Sequence, residues 1–358
     1  MEWISAGISR LGAWLDGLMS PYPALDWFRD MLVSGVLAGV GGVLAFLPNI
    51  IILYLLISMM ESSGYMGRVA FIMDALMHGM GLHGKSFIPM IMGFGCNVPA
   101  ILETKKIASG KNRLITVLII PFMSCSGRLP VYLLVVAAFF PEYAPLVLLG
   151  LYALGMLLAV IAAKILSSLL PGVSEHDNVE IRSYSVPDMA YVFRNTWMQA
   201  KEYLKKLSGP ILIFSVALWF LGYFPRVDSS AEVPVYEQKE QSYIGRLGKA
   251  IEPVLEPIGM NWKDGVSIVA GVGAKELIVS TMGVMYSDDG LNLQAALARH
   301  HTPAGALAMV VFVLLYFPCV GTFTALKHVT GSWKWTLISA VNSIVVAWLL
   351  AFAAFHLI

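Results

Sequence analysis

Ser86-Phe87-Ile88-Pro89-Met90-Ile91-Met92-Gly93-Phe94-Gly95-Cys96-Asn97-Val98-Pro99-Ala100-Ile101-Leu102 carries no charged side chain. The run approaches the 20 or so apolar residues that a helix needs to cross the hydrocarbon of a bilayer. Two prolines and two glycines interrupt it, however, and polar Asn97 sits among them. Single glycines and prolines are common in membrane helices. A cluster predicts a helix that breaks at membrane depth, where freed backbone must line a cavity or be buried in protein. Such a break is the first place to look for a substrate.

The chain around it has the same character. Only 13% of its 358 residues are charged and 58% are hydrophobic, against about 25% and 45–50% in soluble domains. A water-soluble fold is excluded. Further uncharged stretches occupy 31–60, 143–163, 207–225, 302–326 and 335–358; 114–141 is interrupted only by Arg128, and 265–287 only by Lys275-Glu276. The expected fold is an all-α polytopic membrane protein of about eight embedded segments, some broken or re-entrant. Pro48 is expected to split the 31–60 run. The 24 basic and 23 acidic residues leave a net charge of +1, so no basic field points to nucleic acid.

Residues 1–20 place Ile4, Ile8, Leu11, Leu15 and Leu18 on one helical stripe, with Trp3 and Trp14 suited to headgroup level. That pattern predicts an amphipathic helix lying on the lipid bilayer, with residues 1–30 as helix and linker. The basic 103–113 and 192–206 stretches are expected in the cytoplasm by the positive-inside rule, and the more acidic 226–264 loop outside. The 265–287 segment either crosses or dips in and returns. Gly93-Phe94-Gly95-Cys96-Asn97 and the Pro121 to Ser126 stretch find weak counterparts in Gly271-Val272-Gly273-Ala274-Lys275-Glu276 and Pro318-Cys319-Val320-Gly321-Thr322. Interrupted segments in both halves suggest a transporter built from two repeats, 31–170 and 207–358, joined by a cytoplasmic linker at 171–206.

Three cysteines, Cys96, Cys125 and Cys319, give no disulfide framework. Each lies beside Gly, Pro, Ser or Asn. A lone buried cysteine is a small hydrophobe, but three thiols at helix breaks suit a soft or borderline metal, with Asn97, Ser124 or carbonyl oxygens completing a shell that must release its ion. Of nineteen methionines only Met123, beside Cys125, joins this set; the others fill space. Charges inside apolar sequence are costly and mark function or pairing. Glu61, Arg68 and Asp74 suit an interfacial ion-pair set; Arg128 and Lys275 are gating or structural polar groups; Glu276 adds a carboxylate near the path. His78, His83, His300 and His301 fall at segment ends, where histidines are solvated, the adjacent pair being also weighed as an ion-capture site. Residues 79–86 satisfy the spacing of a phosphate loop, but membrane-type sequence on both sides removes the strand and helix that make it work. No nucleotide site is expected in this chain.

Glu61-Ser62-Ser63-Gly64-Tyr65-Met66-Gly67-Arg68, the Gly93 to Ala100 motif and Pro121 to Tyr132, with Ala274-Lys275-Glu276 and Phe317-Pro318-Cys319, resemble the membrane domain of the FeoB family of prokaryotic ferrous iron transporters. The resemblance runs from about residue 30 to the end. It implies Fe(II) as transported substrate, the cytoplasmic (inner) membrane as location, two inverted gate repeats like those of nucleoside transporters, and metal-path roles for Cys96, Cys125 and Cys319. It also implies partners: a cytosolic GTPase domain or protein, a small accessory Feo protein and a possible homo-oligomer. The family's N-terminal GTP-binding domain is absent from this sequence. The expected function is therefore a ferrous iron transporter rather than an enzyme, with an Mn(II) or Zn(II) transporter, or a nucleoside or organic-solute carrier, as the alternatives.

Overall fold

The computed structural model describes residues 7, 10–14, 17, 26–170, 184–225, 235–287 and 292–357. Most of the interfacial helix expected at 1–20, and residues 171–183 of the expected linker, lie outside them. All regular structure among the described residues is helical. Six helical runs among these residues are long and apolar enough to cross a membrane: Trp27–Ser62, Gly110–Phe139, Ala144–Leu169, Met189–Tyr223, Pro303–Thr330 and Trp333–Leu357. The chain is a multi-pass membrane protein.

The contacts divide the chain into two compact units. In the first, helix α1 (Ala38–Ser62), entered through a π-helical stretch Met31–Leu37, packs on a long helix that begins at Met189. Ser215 Oγ donates to Gly35 O at 2.9 Å, and Asn195 Nδ2 donates to Ser58 Oγ at 2.9 Å. The early part of one helix thus meets the late part of the other, so the two run antiparallel. One expectation fails here. Pro48 does not split α1, which continues through it, because neighbouring groups re-satisfy a backbone freed by proline in a membrane helix. The basic 192–206 stretch lies within one helix that runs unbroken from Met189 to Tyr223.

The second unit begins with short helices α2 (Tyr65–Ile72) and α3 (Asp74–Gly79), then α4 (Phe87–Gly95) and α5 (Asn97–Glu103), divided by extended Cys96. At 1.5 Å per residue α4 and α5 are about 14 and 10 Å long, too short for a hydrocarbon layer of about 30 Å. Helix α6 (Gly110–Ile119), capped by Ser109, continues after a break as α7 (Leu129–Phe139). Ser86, at the start of α4, bonds Thr116 of α6 at 2.9 Å, and α5 ends only a short loop before α6. At the other end Ser126 Oγ donates to Gly95 O at 2.8 Å. Both feet of the α4–α5 pair therefore lie towards the start of α6, and its tip lies at the α6–α7 break. This is a re-entrant hairpin.

The chain continues through α8 (Ala144–Leu169), α9 (Met189–Tyr223, the long helix of the first unit), α10 (Val235–Gln241) and α11 (Tyr243–Leu255). The expected 226–264 loop is thus largely helical where it is described. Next come α12 (Trp262–Gly273), α13 (Leu277–Met285), α14 (Leu293–His300), α15 (Pro303–Leu315), α16 (Val320–Thr330) and α17 (Trp333–Leu357). Asn261 opens α12 with a capping box, accepting from Lys263 N and Asp264 N while Asp264 accepts from Asn261 N. Thr302 and Pro303 open α15 as cap and first-turn residue. The feet of α12 and α13 are tied by Tyr286 to Asn261 and Asp264, while the tip is tied by Lys275 to the α15–α16 break. Within 265–287, α12 and α13 therefore form a second helical hairpin.

Candidate functional site

Two hairpin tips and two span breaks carry the residues expected to matter. Cys96 separates α4 from α5 at φ −153°, ψ 129°. Ala274 follows α12 at φ −149°, ψ 133°, nearly the same backbone conformation at the equivalent place in the second hairpin. Cys125 (φ −77°, ψ 160°) and Cys319 (φ −61°, ψ 159°) share the same extended region, each leading into the second half of a broken span. The sequence parallel between the two halves is therefore matched by backbone geometry at both pairs of positions.

The thiols share one neighbourhood. Cys96 lies within electrostatic reach of Cys125, Cys319 and Glu276, and Lys275 within reach of Arg128, Cys125, Cys319 and Glu276. All three cysteines are free and partly exposed. A Cβ built on Gly127 would stand 3.2 Å from Glu276 Oε2, which puts that carboxylate against the Cys125–Arg128 turn. The Cys319 thiol meets Thr322 Oγ1 at 3.2 Å, a partner that sequence reasoning missed. Among the described residues, no three His, Cys, Asp or Glu side chains are close enough to hold one ion together. The thiols stand as separate stations.

The other expected members divide by what they bond. Asn97 is 5% exposed and its Oδ1 is buried with no hydrogen-bond partner, a costly state that leaves an oxygen acceptor next to Cys96. Ser124 Oγ, by contrast, donates to Tyr132 Oη at 3.0 Å. Met123 is buried against Gly93, whose built Cβ would lie 3.0 Å from Met123 Cβ, so it packs the break. Arg128, 1% exposed, donates to Pro121 O at 3.3 Å and Met123 O at 3.0 Å. Lys275, also buried, donates to Phe317 O at 2.7 Å and sits 3.2 Å above the centre of the Tyr316 ring. At each break, backbone carbonyl oxygen freed by unwinding is held by a buried basic side chain.

Asp74 and the histidines stand apart from this centre. Asp74 accepts from Gly84 N at 2.7 Å and meets His83 at 3.1 Å and His78 at 3.3 Å, bracing a foot of the first hairpin. Glu61 lies in the first unit. His83 and His301 are buried rather than solvated, because each packs beside an aspartate at a hairpin foot, a contact that chain spacing does not reveal. The Asn261-x-x-Asp264 capping pattern was the one legible sign of the second foot.

A family model described as Gate, nucleoside recognition, matches residues 43–139 and 204–333. A second, described as the C terminus of ferrous iron transport protein B, matches residues 148–199. The Fe(2+) transport protein A/Fe(2+) transporter FeoB fusion protein of Porphyromonas gingivalis is 45% identical over all of this chain and 47% of its own length. The Fe(2+) transporter FeoB of Staphylococcus aureus (strain MSSA476) is 39% identical over 99% of this chain and 54% of its own. That of Campylobacter jejuni is 39% identical over 100% and 59%. No solved structure matches. The chain spans about half the length of these curated relatives, and over that length, through its gate-type membrane region, it belongs to the FeoB family.

Proposed function

We propose that this chain conducts Fe(II) across the cytoplasmic membrane through a route on which Cys96, Cys125 and Cys319 act in turn, with Asn97 Oδ1 and the Glu276 carboxylate as oxygen donors. The observation that supports this reading is the placing of three partly exposed thiols at unwound backbone, Cys96 within electrostatic reach of the other two. Thiolate sulfur suits a borderline first-row ion, and ligands spread over several stations bind strongly enough to strip water yet weakly enough to release. Relatives named as Fe(2+) transporters support the choice of ion. The matched backbone at Cys96 and Ala274, and at Cys125 and Cys319, supports two inverted repeats with the cargo between them. A GTPase domain or partner, and an accessory protein of the kind joined to the P. gingivalis relative, would regulate passage. Ser124 and Met123 shape the break rather than ligate, and Arg128 and Lys275 hold the carbonyls that define it.

The test is metal uptake by proteoliposomes holding the protein. Cys96→Ser or Cys125→Ser should lower Fe(II) uptake about tenfold, equivalent to about 1.4 kcal/mol at the barrier, with insertion and thermal stability unchanged. Full uptake by the Cys96/Cys125/Cys319 triple-serine variant would remove the thiol route. Competition with Mn(II) and Zn(II) in the same vesicles assigns the ion.

A further inference from the structure

The feet of the second hairpin converge on a buried polar cluster that the transport route does not use. Asp264, at the start of α12, is fully buried; Tyr286, just past α13, is 1% exposed; His301, between α14 and α15, is 9% exposed. Tyr286 Oη donates to Asp264 Oδ1 at 2.8 Å and lies 3.1 Å from His301 Nε2. His301 Nε2 is also 3.4 Å from Asp264 Oδ1, and its Nδ1 is 3.4 Å from Gly259 O. Asn261 Nδ2 donates to Tyr286 Oη at 3.0 Å.

An imidazolium has a donor at each nitrogen, whereas neutral imidazole has only one. Protonated His301 can therefore serve Gly259 O through Nδ1 and the Asp264–Tyr286 pair through Nε2 together. Neutral His301 leaves the network one proton short. With its proton on Nδ1 its Nε2 lone pair can accept from Tyr286 Oη only if that hydroxyl gives up its bond to Asp264, and with its proton on Nε2 it leaves the Gly259 carbonyl unserved. We propose that Asp264, Tyr286 and His301 form a proton-operated latch, which ties the hairpin feet to the start of α15 when His301 is charged and slackens when it is neutral.

The other charged or titratable groups on the surrounding elements are Lys263 on α12, whose Nζ lies 5.2 Å from the Tyr286 ring centre, His300 and Arg299 on α14, Arg246, Lys249 and Glu252 on α11, Glu256 in the turn before Gly259, and Lys334 and His356 on α17. Burial lowers the proton affinity of His301, but its hydrogen bond to Asp264, the Asp264 charge and the Gly259 carbonyl together raise its pKa above the usual 6.5. A histidine whose folded pKa is raised contributes its stability below its unfolded pKa, about 6.5, and loses it as pH climbs through the raised value. The latch is closed in acid and opens on the alkaline side of 6.5.

Amide hydrogen exchange of the whole protein in lipid nanodiscs, corrected for intrinsic exchange and followed from about pH 5.5 to 8.5, reads the latch without reference to any cargo. This separates it from the iron reading, which stands or falls on uptake. Peptides covering 259–266, 282–287 and 292–302 should lose protection as pH rises in the native protein. His301→Gln, neutral at every pH, should show the low-protection state throughout. His301→Lys, which keeps a cation beside Asp264, should stay protected to pH 8.5. The latch is overturned if protection in the native protein does not change with pH, or if His301→Lys follows the native pH profile. Should His301→Gln fail to fold, the His301→Lys profile decides alone.

Discussion

Arg128→Ala is expected to leave little folded protein. The guanidinium is buried and bonds the carbonyls of Pro121 and Met123, which the α6–α7 break frees from helix bonding. Truncation leaves these carbonyls without their donor, and each buried acceptor left without a partner costs about 1–3 kcal/mol. A cavity penalty adds to that. The sum, about 3–5 kcal/mol, is a large part of what holds a domain of ordinary stability together. Thermal unfolding in detergent measures it. Arg128→Lys, which retains a donor but not the fork that reaches two carbonyls, should fall between the two. A melting temperature unchanged in Arg128→Ala would show that the break holds its own shape.

Gly84→Ala should cost as much, by a different route. Gly84 closes the foot of the first hairpin, its amide bonded to Asp74 Oδ1 at 2.7 Å. A Cβ there would lie 2.0 Å from the carbonyl oxygen of Ala70 and 3.0 Å from Asp74 Oδ1. Backbone cannot swing aside as a side-chain end can, so α2 and the foot must separate and the Asp74 bonds must stretch. Overpacking costs about 1–3 kcal/mol where neighbours can relax; here the loss should exceed about 3 kcal/mol on the same assay. Gly150→Ala supplies the control. Nothing lies within 4 Å of a Cβ at that position in α8, and replacing a mid-helix glycine should gain about 0.5–1 kcal/mol. Equal melting temperatures for the two variants would contradict the packing.

The breaks were legible because their cause is local. Gly93, Gly95 and Pro99 around Cys96, and Pro121 and Pro318 near Cys125 and Cys319, weaken helix bonding or remove its donors at these points, and the chain says so one residue at a time. The charges at Arg128, Lys275 and Glu276 were legible for a similar reason: ionised groups in apolar sequence need an explanation wherever they fold. What Lys275 bonds could not be read, because Phe317 is brought to it only by the hairpin's return. The same holds for Asp264, Tyr286 and His301, separated by 22 and 15 residues and joined at one foot. Pro48 misled in the other direction, since whether a membrane helix breaks at proline depends on neighbours that no local pattern contains.

The unwound points fall near the middle of their spans, Cys125 within Gly110–Phe139 and the Tyr316–Cys319 turn within Pro303–Thr330. On the proposed route, half-length hairpins reaching these midpoints would leave an ion only a thin insulating layer to cross on either side, so the transmembrane voltage would fall over a short distance. An interior-negative potential of 100 mV does about 2.3 kcal/mol of work per elementary charge, about 4.6 kcal/mol for a dication. Inward current through such a pathway should therefore steepen with hyperpolarisation, whatever regulates its opening.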